Sequence, residues 1–181
     1  MARQARDDGS AEQPWFVIQK HDATRLHYDL RLEVDGVLKS WAVPRGPSTN
    51  PTDKRLAVQT DDHSFDYLDF EGVIGEQRYG SGAVIVWDIG HYRNLNERNG
   101  EPIQMADAID AGHLKFWLDG MKVTGGYALT RTDDEPSGQW LLVKIRDRAA
   151  AADPSSDVTV SRPESVLSGR MIEDVATEAG G

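Results

Sequence analysis

Two histidines, an aspartate and an arginine fall close together in KHDATRLHYDLRLEVDGVLKSWAVP, residues 20–44, as His21, His27, Asp29 and Arg31. Two imidazoles and a carboxylate suit a borderline or hard divalent ion such as Mn²⁺ or Zn²⁺. An arginine two residues further on can hold an anionic substrate against such an ion. The plainer alternative is a half-exposed strand carrying mixed charges, which would account for a lone histidine. The combined set is what points to a metal site. Other candidates are weaker singly. DDHSFDY places His63 and Tyr67 four apart, or is simply a polar loop. WAVPRGPSTNPTDKR carries Arg45, Lys54 and Arg55, which either line an anion pocket or are solvated. Gly80-Ser81-Gly82 is no P-loop, since no helix follows it; it reads as a loop through which backbone approaches closely. His91 and His113 read as surface residues. Trp41, Trp87, Trp117 and Trp140 read as core rather than as stacking platforms.

These residues must be positioned by strands. From Trp15 onward the chain is a series of short apolar runs separated by turn signals: WFVIQKH, LHYDLRLEV, VLKSWAVP, RLAVQT, GAVIVWD, HLKFWL, KVTGGYALTRT and QWLLVKI. Asp35-Gly36 and Asp119-Gly120 lie between such runs, and Asp-Gly signals a two-residue hairpin turn. The pattern predicts a mainly β protein: an antiparallel barrel or sandwich of about eight strands, with one short helix over residues 103–111. In the second run, period-two alternation puts Leu26, Tyr28, Leu30, Leu32 and Val34 on the core face. Arg25, His27, Asp29, Arg31 and Glu33 take the other. A turn at Asp35-Gly36 then sets Val34 opposite Val37, Arg31 opposite Ser40, Leu30 opposite Trp41 and Asp29 opposite Ala42. Small partners leave space above His27, Asp29 and Arg31. Residues 1–14 read as a flexible arm, 15–148 as the barrel, and 149–181 as a linker-like, mobile tail whose last stretch forms one short amphipathic turn or stays disordered.

Length and composition bound the rest. The 181 residues suit one domain with a real core, and no internal repeat interrupts it. The chain has no cysteine, which rules out disulfides and thiolate metal sites and agrees with a reducing cytoplasm. No apolar run is long enough to cross a bilayer, nothing suggests a membrane partner, and the first residues carry no secretory signal. Lys and Arg number 20 against 30 Asp and Glu, a formal net charge of −10, which opposes non-specific binding to polyanions. A local cationic pocket can overrule that balance, because screening confines distant charges to a Debye length of about 8–10 Å.

The stretch FVIQKHDATRLHYDLRLEVDGVLKSWAVPRGPS closely resembles the 3′-phosphoesterase domain of bacterial DNA ligase D, the multifunctional ligase of non-homologous end joining. The likeness continues through KRLAVQTDDHSFDYLDFEG, YGSGAVIVWD and WLLVK, covering nearly all of residues 15–146. The two histidines joined to the LE-x-DG-x-L-x-SWAVP hairpin make it highly specific. The resemblance implies a compact eight-stranded β-barrel with a crescent-shaped groove that trims 3′ ends of DNA, including RNA-tipped ends. A terminal ribonucleoside is removed first, leaving a 3′ phosphate; that phosphate is then removed to give a hydroxyl fit for sealing. It further implies a divalent cofactor, typically Mn²⁺, held by His21, His27 and Asp29. Arg31 and His63 would contact the phosphate, with Tyr67 and Arg55 at further active-site positions. On this basis Arg31 and Arg45 would stabilise charge on the transferring group, and His63 would be either a phosphate ligand or a general acid.

Two departures matter. Arg45 stands where the family often has lysine, keeping the charge but not the geometry. Arg6, Asp7 and Glu12 correspond only loosely to the family residues that assist ribonucleoside removal, so phosphate removal is the firmer expectation. By analogy a DNA ligase or a Ku-type protein would be a partner, with the chain a monomer of the bacterial or archaeal cytosol. The tail SRPESVLSGRMIEDV resembles the linker into a ligase domain. The chain is either a stand-alone relative or an excised domain, with Met1 and the complete core on the side of the former. The rival readings are a non-catalytic DNA-end-binding module and a cupin-type metalloenzyme. The cupin pattern favours His-x-His followed by glutamate, whereas here the histidines are six apart and Asp29 follows.

Overall fold

A computed structural model describes residues 13–74, 82–132, 138–150 and 157–180. In chain order the elements are β1 (Trp15–Asp22), β2 (Leu26–Val34), β3 (Val37–Val43), β4 (Arg55–Ser64), a 3-10 turn (Phe65–Tyr67), β5 (Gly72–Ile74), β6 (Gly82–Asn94), β7 (Glu97–Arg98), β8 (Glu101–Pro102), α1 (Met105–Ala111), β9 (His113–Asp119), β10 (Thr124–Arg131), β11 (Gln139–Lys144), α2 (Val158–Ser161) and α3 (Ile172–Gly180). Each of the eight apolar runs forms a strand. They pair in the order β1-β2-β3-β4-β11-β10-β9-β6, and β6 returns to β1 to close an antiparallel barrel. The short β5 adds to β6, and β7 with β8 makes a separate ribbon.

Asp35 and Gly36 both adopt positive φ, 52° and 85°, the conformation a two-residue turn between twisted strands requires. The predicted register follows, with Val34 opposite Val37, Arg31 opposite Ser40, Leu30 opposite Trp41 and Asp29 opposite Ala42. The second Asp-Gly pair behaves differently. Asp119 pairs with Thr124, so the connection spans residues 120–123 rather than two residues. The cause is Asp88, fully buried on β6. Its carboxylate accepts hydrogen bonds from the backbone N–H groups of Met121, Lys122 and Val123 at 2.8, 3.1 and 2.9 Å. The longer loop lets the backbone satisfy that buried charge, which a tight turn does not. Helix α1 starts two residues later than the sequence predicts and stops at Gly112, whose left-handed conformation (φ 83°) ends it with bonds to Ala108 and Ile109.

The barrel interior is filled from all sides. Trp41, Trp87 and Trp140 are fully buried, and Trp41 meets Trp140 edge to face at 5.7 Å. Trp117 is the exception to the core expectation. On β9 the inward positions are Leu114, Phe116 and Leu118, so Trp117 points outward, where the Arg93 guanidinium lies 5.2 Å from its ring. The tail also departs from a linker. Helix α3 lies against the barrel wall, because Ile172 and Val175, one helical turn apart, bury themselves on Ala83 and Ile85. No helix among the described residues is long and apolar enough to cross a membrane.

Candidate active site

Strands β1 and β2 run side by side with Val17 opposite Arg31, Gln19 opposite Asp29 and His21 opposite His27. Alternation sends all six of these side chains to the outer face of the barrel wall, while Ile18, Leu30 and Leu32 fill the interior. Over this outer face lies the segment that follows β4. Ser64 caps its 3-10 turn by accepting the Asp66 N–H. Its aromatic residues Phe65 and Tyr67 pack on Val17, Leu38 and Leu68, forming a roof.

Asp29 is the centre of charge. It is 6 % exposed. His21 Nδ1 lies 3.5 Å from Asp29 Oδ2, His27 Nε2 3.2 Å from Oδ1, and Arg31 Nη2 3.4 Å from Oδ2. Burial by itself would raise the Asp29 pKa, but hydrogen bonds from His21 and His27 and the charge of Arg31 hold it far below the usual carboxylate range. Burial also lowers His27, yet its hydrogen bond and charge interaction with Asp29 prevail and raise it above its ordinary value. The geometry of His27 is instructive. Its Nδ1 faces the Arg25 carbonyl at 3.0 Å and so donates there, leaving Nε2 facing a carboxylate oxygen. An imine nitrogen and a carboxylate oxygen at that separation need a cation between them, either a proton or a metal ion. His21 Nε2 is buried with no hydrogen-bond partner, an unusual state for a native polar atom. One ligand atom from each of His21, His27 and Asp29 can be chosen so that all lie within 4.8 Å of one another. The set therefore fits a divalent ion with nitrogen and oxygen ligands.

Arg31 sits deeper than the sequence suggests. The space expected above the polar row is occupied at this point, and Arg31 is 3 % exposed. Its Nε donates to Gln19 Oε1 at 2.7 Å and its Nη1 to Ser40 Oγ at 2.8 Å; Nη1 also lies 3.1 Å from His63 Nδ1. A guanidinium demands many acceptors, and the cluster supplies them. The Arg31 guanidinium also lies 5.1 Å from the Tyr67 ring centroid. Burial and then the charge of Arg31 lower the His63 pKa, so this imidazole stays neutral near pH 7. Burial raises the Tyr67 phenol to about 12, and its hydroxyl has no hydrogen-bond partner. The cluster is open to solvent at His27, whose side chain remains 20 % exposed, and His63 is likewise half-buried.

Six sequence candidates thus form one cluster: His21, His27, Asp29, Arg31, His63 and Tyr67. Arg45 is exposed two residues beyond Val43, whose partner on β2 is Tyr28, next to His27. Gly46, in a left-handed conformation (φ 74°), closes that turn by donating to Val43. Among the described residues no hydrogen bond or ion pair joins Arg55 to the cluster; it begins β4 beside Asp53, 3.6 Å away. Arg6, Asp7 and Glu12 lie outside the described residues. Of the Gly-Ser-Gly loop only Gly82 is described, and any Cβ there would collide with the Asp22 carbonyl, so backbone does approach closely at this point. Gln19, fully buried, is the residue that sequence reasoning missed. Besides holding Arg31, its Nε2 donates to the Tyr67 and Phe70 carbonyls at 3.1 and 3.2 Å, tying the roof to the cluster. A glutamine buried in an apolar strand was the only available signal.

Comparison with known proteins matches residues 19–131 to the family described as the DNA Ligase D 3′-phosphoesterase domain. The "Multifunctional non-homologous end joining protein LigD" of Pseudomonas aeruginosa is 49% identical over 158 residues, 87% of this chain and 18% of that protein. Its namesake from Mycolicibacterium smegmatis is 43% identical over 136 residues, 75% of this chain and 17% of that one. The "Multifunctional non-homologous end joining DNA repair protein LigD" of Mycobacterium tuberculosis is 41% identical over 133 residues, 74% and 16% of the two chains. The chain spans less than a fifth of the length of these relatives.

Proposed function

The chain belongs to the DNA ligase D 3′-phosphoesterase domain family, and on that premise we propose that it removes a 3′ phosphate from primer-template DNA ends, leaving a hydroxyl fit for ligation. The observation that carries this reading is the convergence of His21, His27 and Asp29 beside the buried guanidinium of Arg31. A phosphoryl group needs opposite charge on its oxygens and little covalent help, and this cluster offers that at one spot. Mn²⁺ is the proposed cofactor, with His21, His27 and Asp29 as its protein ligands. Such an ion, when bound, supplies Lewis-acid polarisation of a phosphate oxygen.

The chain's own residues then have separable tasks. Arg31, fixed by Gln19 and Ser40, presents a positive charge that does not depend on pH. Hydrolysis breaks the bond between phosphorus and the 3′ oxygen, water supplies the new oxygen, and the leaving oxygen takes a proton. A neutral His63 is better suited to donate a hydrogen bond to a phosphate oxygen than to act as that proton's source. Tyr67 keeps its proton and has a free hydroxyl to donate. Arg45, at the open His27 end, is suited to an approaching strand, and Arg55 to a supporting role. Removal of a 3′ ribonucleoside, which the sequence links to Arg6, Asp7 and Glu12, is the accompanying proposal. A ligase that consumes the 3′ hydroxyl is the natural partner on this reading.

The test is a gel assay on end-labelled primer-template DNA bearing a 3′ phosphate or a single 3′ ribonucleotide, with Mn²⁺ or with chelator. Phosphate release that needs metal and is lost in His27→Ala is the expected result. Full activity of His27→Ala would overturn the site assignment. DNA binding without any product would make the chain an end-binding module instead.

A further inference from the structure

The roof over the cluster has two supports. One is Gln19, from below. The other comes from the tail, far along the chain, and it centres on Glu71, which directly follows the roof residue Phe70. The Glu71 side chain is only 8 % exposed. Its Oε2 accepts the Val86 N–H at 2.7 Å, and its Oε1 lies 3.4 Å from Arg170 Nη2. Burial would raise the Glu71 pKa, but hydrogen bonds from Ser165, Ser168, the Val86 N–H and Arg170 together hold it below its ordinary value. The tail loop is itself tightly made: Ser165 N–H donates to the Arg170 carbonyl, and Ser165 Oγ accepts from the Leu167 and Ser168 N–H groups. Val86 is held from both sides, since its carbonyl accepts the Val166 N–H at 3.0 Å. The Val166 side chain packs into the apolar cluster that contains the roof residues Phe65, Tyr67 and Leu68. Further back along the tail, Trp87 Nε1 and Lys122 Nζ both donate to the Arg162 carbonyl, and Lys122 donates to the Glu164 carbonyl as well. The tail is therefore pinned to the wall just before it reaches Glu71.

Contacts run without a gap from Arg170 to Glu71, through the roof to Gln19, and on to Arg31. We propose that Glu71 and Arg170, with Ser165 and Ser168, form a clasp through which the tail fixes the roof, making Glu71 and Arg170 positioning residues for the phosphoesterase site. This rests on the phosphoesterase reading. Among the described residues no hydrogen bond or ion pair joins Glu71, Arg170, Ser165 or Ser168 to His21, His27 or Asp29, so the clasp governs turnover and not metal affinity. Small displacements of Tyr67, His63 and Arg31 are enough to matter, because a misplacement of about 1 Å can cost roughly a hundredfold in rate. Arg170 and its two serine neighbours lie beyond residues 19–131, the stretch that matches the family, so the clasp is an accessory to that shared core.

The experiment compares the full chain with Arg170→Ala, Arg170→Lys and Glu71→Gln. Arg170 is partly exposed, so its removal leaves the fold intact even where Glu71→Gln does not. Phosphate release is measured for kcat and KM, Mn²⁺ affinity by calorimetry, and hydrogen exchange at the roof amides of Leu68 and Phe70. Arg170→Ala should lower kcat roughly 3- to 30-fold, speed exchange at both amides, and leave Mn²⁺ affinity unchanged; Arg170→Lys should restore most of the loss. Unchanged exchange in both Arg170→Ala and Glu71→Gln overturns the clasp. Faster exchange with unchanged kcat overturns the positioning role. A fall in Mn²⁺ affinity in step with kcat overturns it too, as general loosening. If the wild-type chain releases no phosphate, the phosphoesterase reading fails, and the exchange comparison alone decides whether the tail holds the roof.

Discussion

Asp29 shows how one buried carboxylate organises its neighbours. Two imidazoles and a guanidinium surround it, and the titrations of His27 and Arg31 both respond to its charge. His27 has its pKa raised above 6.5 in the folded chain. In the metal-free protein its contribution to stability is therefore complete below that unfolded value and is lost as pH rises through the raised one. Asp29 is shifted the other way. Its contribution is complete above the unfolded 3.8 and is lost only as pH falls through its depressed folded value. Both contributions are complete between 3.8 and 6.5. Metal binding reverses the sense for His27, because the ion must displace its proton. Mn²⁺ affinity should therefore climb about tenfold per pH unit below the raised His27 value and level off above it. Calorimetric titration from about pH 5.5 to about pH 8.5 covers the transition of an imidazole. A flat profile across that range would remove His27 from the ligand set.

Strands and loops differ in what determines them. Fixing a strand needs only local alternation, and the eight barrel strands were all legible as apolar runs. The polar row on β2 was legible for the same reason, as was its register through the Asp35-Gly36 turn. His21, His63 and Tyr67 were also named from the sequence, but the buried polar framework that holds the cluster was not, because it joins groups that meet from far apart. Gln19 reaches Tyr67 and Phe70 across 48 and 51 positions, and Glu71 meets Arg170 across 99. No periodicity records such pairs. The residues 120–123 make the point most clearly. The same dipeptide that makes a two-residue turn at Asp35 makes a longer loop at Asp119, because Asp88 waits beneath it. Oδ1 of Asp88 takes the N–H groups of Ile89 and Met121, and Oδ2 takes those of Lys122 and Val123. Asp88→Asn keeps the volume but turns one acceptor into a donor facing N–H groups. It should cost about 3 kcal/mol, lowering the melting temperature by roughly 6–12 °C. Thermal denaturation followed by circular dichroism measures this. A variant melting within about 2 °C of the wild type, less than 1 kcal/mol, would mean that the loop does not rely on Asp88.

At the scale of the whole molecule, closure and charge restrict how a nucleic acid can be held. Pairing of β6 with β1 leaves no free edge among the eight barrel strands, so recognition must use side chains on the outer wall. That wall belongs to a chain of net charge −10, which opposes a long duplex lying along it. Among the described residues the cations near the cluster include Arg31 within it and the exposed Arg25 and Arg45 beside His27. On the proposed reading the target is a single terminal phosphate at one strand end, which needs no long cationic track. The consequence is a shallow salt dependence. With one to three phosphates neutralised, the logarithm of affinity should fall against the logarithm of salt with a slope of about −1 to −3. Anisotropy of a labelled primer-template with a 3′ phosphate, measured in chelator so that turnover does not intrude, gives this slope directly. Duplexes of different length should bind alike if only the end is gripped. A slope steeper than about −5, or affinity that grows with duplex length, would reveal a cationic track beyond the cluster. The end-directed reading would then give way to binding along the helix.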